Sequence, residues 1–216
     1  LPKQFLPVAG IPILCRTIQK FLQYDPEIKI YLVLPASHLG VWIQISSAYI
    51  APNSYTLVEG GAERFHSVKN ALDKIPQDVD LIAVHDGVRP LVLPETISTN
   101  LQIAHEHGNC ITCVPATETC VIAPQGSEPF VPERNESFLA RAPQTFRLSD
   151  ILNAQTQARE AGRHDYIDSC TLMHHYGYPL YSCIGSYENI KITTPTDFFI
   201  FRAILKMRED QQAYGI

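Results

Sequence analysis

Three short stretches carry residue types that could do chemistry on phosphate. Val84-His85-Asp86-Gly87-Val88-Arg89-Pro90 closes an apolar run with a carboxylate, followed by a small residue and an arginine. A lone carboxylate in that place is a ready magnesium ligand, because the ion takes one or two protein carboxylates and fills its shell with substrate phosphates. Arg89 can fork onto a phosphate or, as a structural alternative, onto Asp86 itself. His85 is read as core-facing. Asn189-Ile190-Lys191-Ile192-Thr193-Thr194-Pro195 sets one lysine among β-branched residues, the pattern of a strand that offers a cation to a phosphate. The alternative is a surface lysine before an ordinary helix start, since Thr194 can cap, Pro195 suits the first helical position and Asp197 favours the first turn. Glu59-Gly60-Gly61-Ala62-Glu63-Arg64-Phe65-His66-Ser67 opens a glycine pair straight into a helical pattern. Glycines let backbone amides approach a nucleotide and a helix start favours anions, although a tight strand-to-helix turn has the same residues.

Positioning these groups falls to alternating elements. Strands are expected over residues 28–34, 55–58, 81–85, 110–114 and 180–184, and helices over 11–22, 64–75, 94–107, 148–161, 170–176 and 195–207. Such alternation argues a mostly parallel sheet covered on both faces, a Rossmann-like order whose ligands sit at the carboxyl ends of the strands. All three stretches lie at such ends or at the helix starts that follow them.

The order breaks once, over residues 117–146, where Pro124, Gly126, Pro129 and Pro132 punctuate two extended pieces, 119–122 and 137–140. We read this as a projecting β-arm; an isolated hairpin is marginal in water, so a second subunit is expected to cover it. A surface loop is the alternative.

A chain of 216 residues with a net charge of −5 suits one α/β domain and offers no general basic field, which argues against nucleic acid and for a small-molecule substrate. No apolar run reaches membrane-spanning length and no leader pattern opens the sequence, so a soluble cytoplasmic protein is expected. The six cysteines do not form the framework of a small secreted domain, and Cys110 and Cys113 lack the further ligands a zinc site needs.

Taken together the motifs resemble the 2-C-methyl-D-erythritol 4-phosphate cytidylyltransferases and the similar ribitol 5-phosphate cytidylyltransferases. The resemblance covers nearly the whole chain and rests on Pro2-Lys3-Gln4-Phe5-Leu6-Pro7, Gly60-Gly61-Ala62-Glu63-Arg64 with Ser67, His85 to Pro90, Ala142-Pro143-Gln144-Thr145-Phe146 and the segment around Lys191. It implies a nucleotidyltransferase variant of the Rossmann sheet, dimeric through the arm, that moves a cytidylyl group from CTP to a polyol phosphate and releases pyrophosphate. By the same resemblance, Lys3, Lys191 and Arg134 are catalytic. Gly60, Gly61, Ala62, Arg64, Ser67 and Gly87 hold the nucleotide. Asp86, Arg89, Thr119, Arg134 and Asp168 face the acceptor, and Asp86 also ligates Mg²⁺. A glycine-rich phosphate loop is expected immediately upstream of Lys3, ahead of Leu1. The rival of another class is a non-catalytic homologue that binds CTP.

Electrostatics agree with such a site. Two like unit charges about 4 Å apart at an effective dielectric near 20 repel by roughly 4 kcal/mol, so cations must bring two anionic substrates together. The attacking phosphate is already ionised, so no histidine has to act as base. Two positions depart from the family pattern: Ala142 and Ile167 stand where threonines are usual, each near the acceptor. Losing those hydroxyls weakens polyol recognition by about 0.5–1.5 kcal/mol each. Asp168-Ser169-Cys170 is closer to the run of the ribitol enzymes. Methylerythritol phosphate is placed first among acceptors as the commoner activity, with ribitol 5-phosphate the alternative.

Overall fold

The computed structural model describes residues 1–215. A 3₁₀ turn, Lys3–Phe5, leads into the antiparallel pair β1 (Pro7–Val8) and β2 (Ile11–Pro12). Ala9 and Gly10, at φ 47° and 79°, form the tight connection, the left-handed conformation that two-residue hairpins require. The first helix, α1 (Ile13–Tyr24), buries Ile13, Leu14, Cys15, Thr17 and Ile18 along one face. Next come β3 (Tyr31–Leu34), α2 (Ala36–Ser46), β4 (Thr56–Glu59), α3 (Arg64–Leu72) and β5 (Leu81–Val84). They are followed by α4 (Pro94–His107), β6 (Asn109–Pro115), β7 (Phe138–Arg147), α5 (Leu148–Glu160), α6 (Ser169–His175), β8 (Ser182–Ile184) and α7 (Pro195–Tyr214).

Strands β3 and β4 pair in parallel, and a second sheet runs β5-β7-β6-β8. Within it β6 and β8 are parallel while β7 is antiparallel to both β5 and β6. The architecture is therefore the expected Rossmann-like α/β arrangement with a mixed sheet. One apolar cluster joins Phe65, Ile82, Ile111, Phe146, Ile151 and Leu172 around β5, β6 and β7, with α3, α5 and α6. Another joins Phe5, Leu14, Ile18, Leu32, Leu34 and Trp42 beneath α1 and α2. A third, Val8, Ile13, Leu91, Ile192 and Phe201, anchors α7 next to the segment that carries Lys191.

Two expectations change, and one helix stands where none was expected. The helix α2 has no forecast, because its apolar residues spread around the axis: Trp42 is buried while Val41 and Ile43 are exposed, so no single-sided period shows. Lys191 does not sit on a strand; residues 189–194 carry no sheet pairing and are held by the Ile192 amide donating to Val88 O at 3.0 Å. The segment runs against the turn after β5 rather than against a strand edge, which leaves its backbone no ladder to join. The arm is shorter than residues 117–146. From Ala142 to Phe146 β7 is buried and pairs with β5 and β6, because these residues supply the sheet with an inner strand. Phe138, Leu139 and Ala140 also belong to the sheet, pairing with Pro115, Val114 and Cys113 of β6, so the stretch outside it is residues 117–137, where Ile122 and Phe130 pair across an isolated bridge.

Candidate functional site

The turn after β5 is built for close packing. The Arg89 amide donates to Asp86 O at 3.0 Å, closing the turn, and Thr17 Oγ1 donates to Gly87 O at 2.9 Å. A Cβ on Gly87 would lie 2.8 Å from Leu14 Cδ1, so any larger residue here would have to displace the end of the Leu14 side chain on α1. His85 is turned inward as expected: its ring meets Phe21 edge-on at 4.9 Å and its Nε2 lies 3.2 Å from Arg89 O. Burial pushes its pKa down to about 4, so it is neutral near pH 7.

Asp86 sits between two cations. Arg89 Nε donates to Oδ2 at 2.9 Å, and Lys191 Nζ lies 3.2 Å from Oδ1. Burial alone would raise the Asp86 carboxyl, but the Arg89 hydrogen bond and the charges of Lys191 and Arg89 outweigh it and hold it below the usual carboxylate range. Arg89 is 8% exposed and Lys191 exposed, so the pair offers one fixed and one accessible cation. Lys3 reaches the same place from the other end of the chain, donating from Nζ to Thr193 O at 3.4 Å. The helix start that competed with the catalytic reading is also present: Thr194 caps α7, its Oγ1 accepting from the Asp197 amide, while the Asp197 carboxylate accepts from the Thr194 amide at 2.7 Å. These bonds, with others from Thr193, hold the Asp197 carboxyl well below its ordinary range. Cap and cation site are one device, since the cap fixes the residues that follow Lys191.

Gly60, Gly61, Ala62 and Ser67 come together at the start of α3. Ser67 Oγ accepts from the Gly61 amide at 3.1 Å and donates to Glu63 O at 3.0 Å, and Asn70 Nδ2 donates to Glu59 O at 3.0 Å. A Cβ on Gly61 would run into His66, so the loop cannot hold this shape with another residue. Ser67 thus shapes the loop rather than presenting a free hydroxyl. Arg64 and Asp168 line one small cavity. Asp168 caps α6, accepting from the Thr171 amide at 2.8 Å, and Gln144 Nε2 lies 3.5 Å from its other oxygen.

Thr119 and Arg134 are exposed on the arm and make no side-chain hydrogen bond or ion pair with the Asp86 cluster among the described residues. Ala142 is buried and Ile167 is 79% exposed, so the two departures from the family threonines have opposite surroundings. Sequence reasoning passed over Arg141, Gln144 and Asn189 as site residues. Asn189 is 1% exposed, its carbonyl accepts from Arg89 Nη1 at 2.8 Å, and its Nδ2 donates to Ala142 O at 2.8 Å. Its position two residues before Lys191 was the one available signal.

The family model for 2-C-methyl-D-erythritol 4-phosphate cytidylyltransferase matches residues 1–207. The chain is 39% identical, over 100% of its length and 91% of the relative, to a ribitol-5-phosphate cytidylyltransferase of Streptococcus agalactiae serotype V. It is 38% identical, over 94% of its length and 89% of the relative, to a 2-C-methyl-D-erythritol 4-phosphate cytidylyltransferase of Porphyromonas gingivalis. Among solved structures, the 2-C-methyl-D-erythritol 4-phosphate cytidylyltransferase of Thermus thermophilus superposes with a TM-score of 0.77 at 27% identity, over 95% of this chain and 94% of that one. The 4-diphosphocytidyl-2C-methyl-D-erythritol synthase of Anaerococcus prevotii gives a TM-score of 0.83 over 93% and 88% of the two chains, at 23% identity, a likeness of fold.

Proposed function

The chain belongs to the 2-C-methyl-D-erythritol 4-phosphate cytidylyltransferase family, and from that premise we propose that it transfers a cytidylyl group from CTP to ribitol 5-phosphate. The observation that carries the transfer is the junction of Asp86 with Lys191 and Arg89, with Lys3 bonded to Thr193 O two residues beyond Lys191. A phosphate oxygen of the acceptor attacks the α-phosphorus of CTP, the new oxygen–phosphorus bond forms as the bond to pyrophosphate breaks, and pyrophosphate leaves. Lys191 and Lys3 meet the charge on the α-phosphate, Arg89 that on the acceptor, and the α3 loop holds the nucleotide. The nucleophile is ionised beforehand, so neutral His85 has no proton to take.

The donor set at Asp86 fits magnesium. Each of its oxygens keeps a lone pair after accepting from Arg89 or facing Lys191, and no cluster of three metal-ligating side chains occurs among the described residues. One carboxylate with substrate phosphates completing the shell is the ion's preferred arrangement. Magnesium bound there would supply neutralisation of the triphosphate's charge.

Ribitol 5-phosphate is placed ahead of methylerythritol phosphate, reversing the order set by frequency, because relatives named for it align over 99–100% of the chain at 37–39% identity. Asp168-Ser169-Cys170, closer to the run of the ribitol enzymes, supports the same choice. Methylerythritol phosphate is the second reading, favoured by the family model and by relatives at 34–38% identity over 94–95% of the chain. We also propose a homodimer: Val121, Phe130 and Val131 on the arm, with Phe138 and Leu139 at the adjoining start of β7, are each about half exposed or more, and a second copy would cover them while bringing Thr119 and Arg134 to its site. No helix among the described residues is long and apolar enough to cross a membrane, and six unpaired cysteines suit the reducing cytoplasm, where we place the reaction. Pyrophosphate release with CTP, magnesium and each acceptor tests the assignment. Release with ribitol 5-phosphate at a kcat/KM at least tenfold above that for methylerythritol phosphate supports it. The opposite order overturns the acceptor, and CTP binding without release from either overturns the enzyme.

A further inference from the structure

Arg141 lies in β7 directly before Ala142. Its Nη1 donates to Tyr187 O at 3.0 Å and to Asn189 O at 2.8 Å. Arg89 Nη1 donates to that same Asn189 oxygen at 2.8 Å, so the two nitrogens can lie no further apart than the sum of those two short distances. The shared oxygen is itself held firmly, by the Asn189 amide on Ser186 O at 3.1 Å and the Asn189 side chain on Ala142 O at 2.8 Å.

Two guanidiniums on one carbonyl repel. Burial, and then the charge of Arg89, draws Arg141 below the ordinary arginine range. The one carboxylate in this chain of contacts is Asp86, and both its oxygens already face Arg89 and Lys191. Three cations therefore share one anion, and Arg141 has no ion-pair partner among the described residues. A strut between β7 and residues 187–189 would need only the Nη1 bonds. Nε and Nη2 of Arg141, and Nη2 of Arg89, make no hydrogen bond among the described residues, and none of them is sealed from solvent.

We propose that Arg141 and Arg89 together bind the phosphate monoester of the acceptor, as a two-guanidinium clamp whose spacing is set by the Asn189 carbonyl. The planar forks suit a phosphate dianion, which would supply the charge that Asp86 cannot. The inference rests on the polyol-phosphate reading above. It adds the residue that holds the acceptor's phosphate on the β7 side of the site.

Steady-state kinetics on Arg141→Gln and Arg141→Lys test it, with inorganic phosphate as a competitive probe. Arg141→Gln should raise KM for the polyol phosphate 10- to 100-fold and the inhibition constant of inorganic phosphate against it to match, with KM for CTP within twofold; Arg141→Lys should recover part of both. A rise in KM for CTP instead would place Arg141 on the triphosphate and overturn the clamp, as would an unchanged inhibition constant for phosphate. If Arg141→Gln does not fold, Arg141→Lys carries the same test, and a phosphate inhibition constant equal to that of the unaltered protein makes Arg141 a strut. Should no polyol phosphate be turned over, calorimetric titration of inorganic phosphate decides separately. Binding at least tenfold weaker in Arg141→Gln supports the clamp while the acceptor reading fails; equal binding overturns both.

Discussion

Lys191 Nζ and Asp86 Oδ1 lie 3.2 Å apart, although one residue follows β5 and the other precedes the last helix. The contact closes a relay in which Arg89 holds the other carboxylate oxygen and the Asn189 carbonyl holds Arg89. Asp86→Asn keeps the shape and removes the charge. We expect kcat/KM to fall about 100- to 1000-fold, the range seen when one preorganised electrostatic contact is removed. Stability should fall by only about 1–3 kcal/mol, for the lost charge-assisted bond to Arg89. Pyrophosphate-release kinetics and urea denaturation measure the two effects.

Ser67 shapes the loop at the start of α3 through its bonds to the Gly61 amide and Glu63 O. Ser67→Ala should therefore act on nucleotide binding more than on transfer. We expect KM for CTP to rise about tenfold, equivalent to roughly 1.4 kcal/mol, with kcat changed less than threefold. A fall in kcat at constant KM would place Ser67 in the chemical step.

His85 gives the protein an acid-side weakness. Its pKa, brought to about 4 by burial, lies below the ordinary 6.5, so the folded state resists a proton that the unfolded chain accepts. Its contribution is fully present above about pH 6.5 and is lost as pH falls toward 4, at most about 3 kcal/mol in all. His85→Phe, which keeps the ring against Phe21, should flatten the stability profile between those pH values. Urea midpoints measured from pH 4 to 7.5 test this, and an equally steep profile in the variant would move the weakness elsewhere.

The exposed arm makes an assembly prediction. Sedimentation should show a dimer, and Val131→Glu, at a position 61% exposed in one chain, should shift it toward monomer while leaving the monomer's fold intact. Activity should fall with the dimer, because Thr119 and Arg134 do not reach the Asp86 cluster within their own chain through any hydrogen bond or ion pair among the described residues. A monomeric variant with full activity would remove the arm from the site.

Much of this was legible in the residues themselves. Asp86, Arg89 and Lys191 could be named because each stands at an element end with a type suited to phosphate, and the α4 boundaries, residues 94–107, follow from Pro94 at the start and Gly108 at the end, whose φ of 96° stops the helix. The helix α2 escaped because its apolar residues have no single face. Arg141 and the Asn189 that spaces it from Arg89 escaped for a different reason. Their meaning lies in one shared carbonyl oxygen that joins β7 to the segment before Lys191, and no local pattern encodes a contact between residues so distant in the chain.

We propose that the cytidylyl group is transferred at the Asp86–Lys191–Arg89 junction. This is tested most directly by following pyrophosphate and the cytidylylated polyol together, from CTP and ribitol 5-phosphate with magnesium, for the unaltered protein and for Lys191→Ala. One pyrophosphate per product is expected in the unaltered protein. Lys191→Ala should lower kcat/KM at least 100-fold, with a circular dichroism spectrum and melting temperature close to those of the unaltered protein. Equal turnover in the two proteins would contradict it and leave Lys191 a surface residue ahead of a well-capped helix.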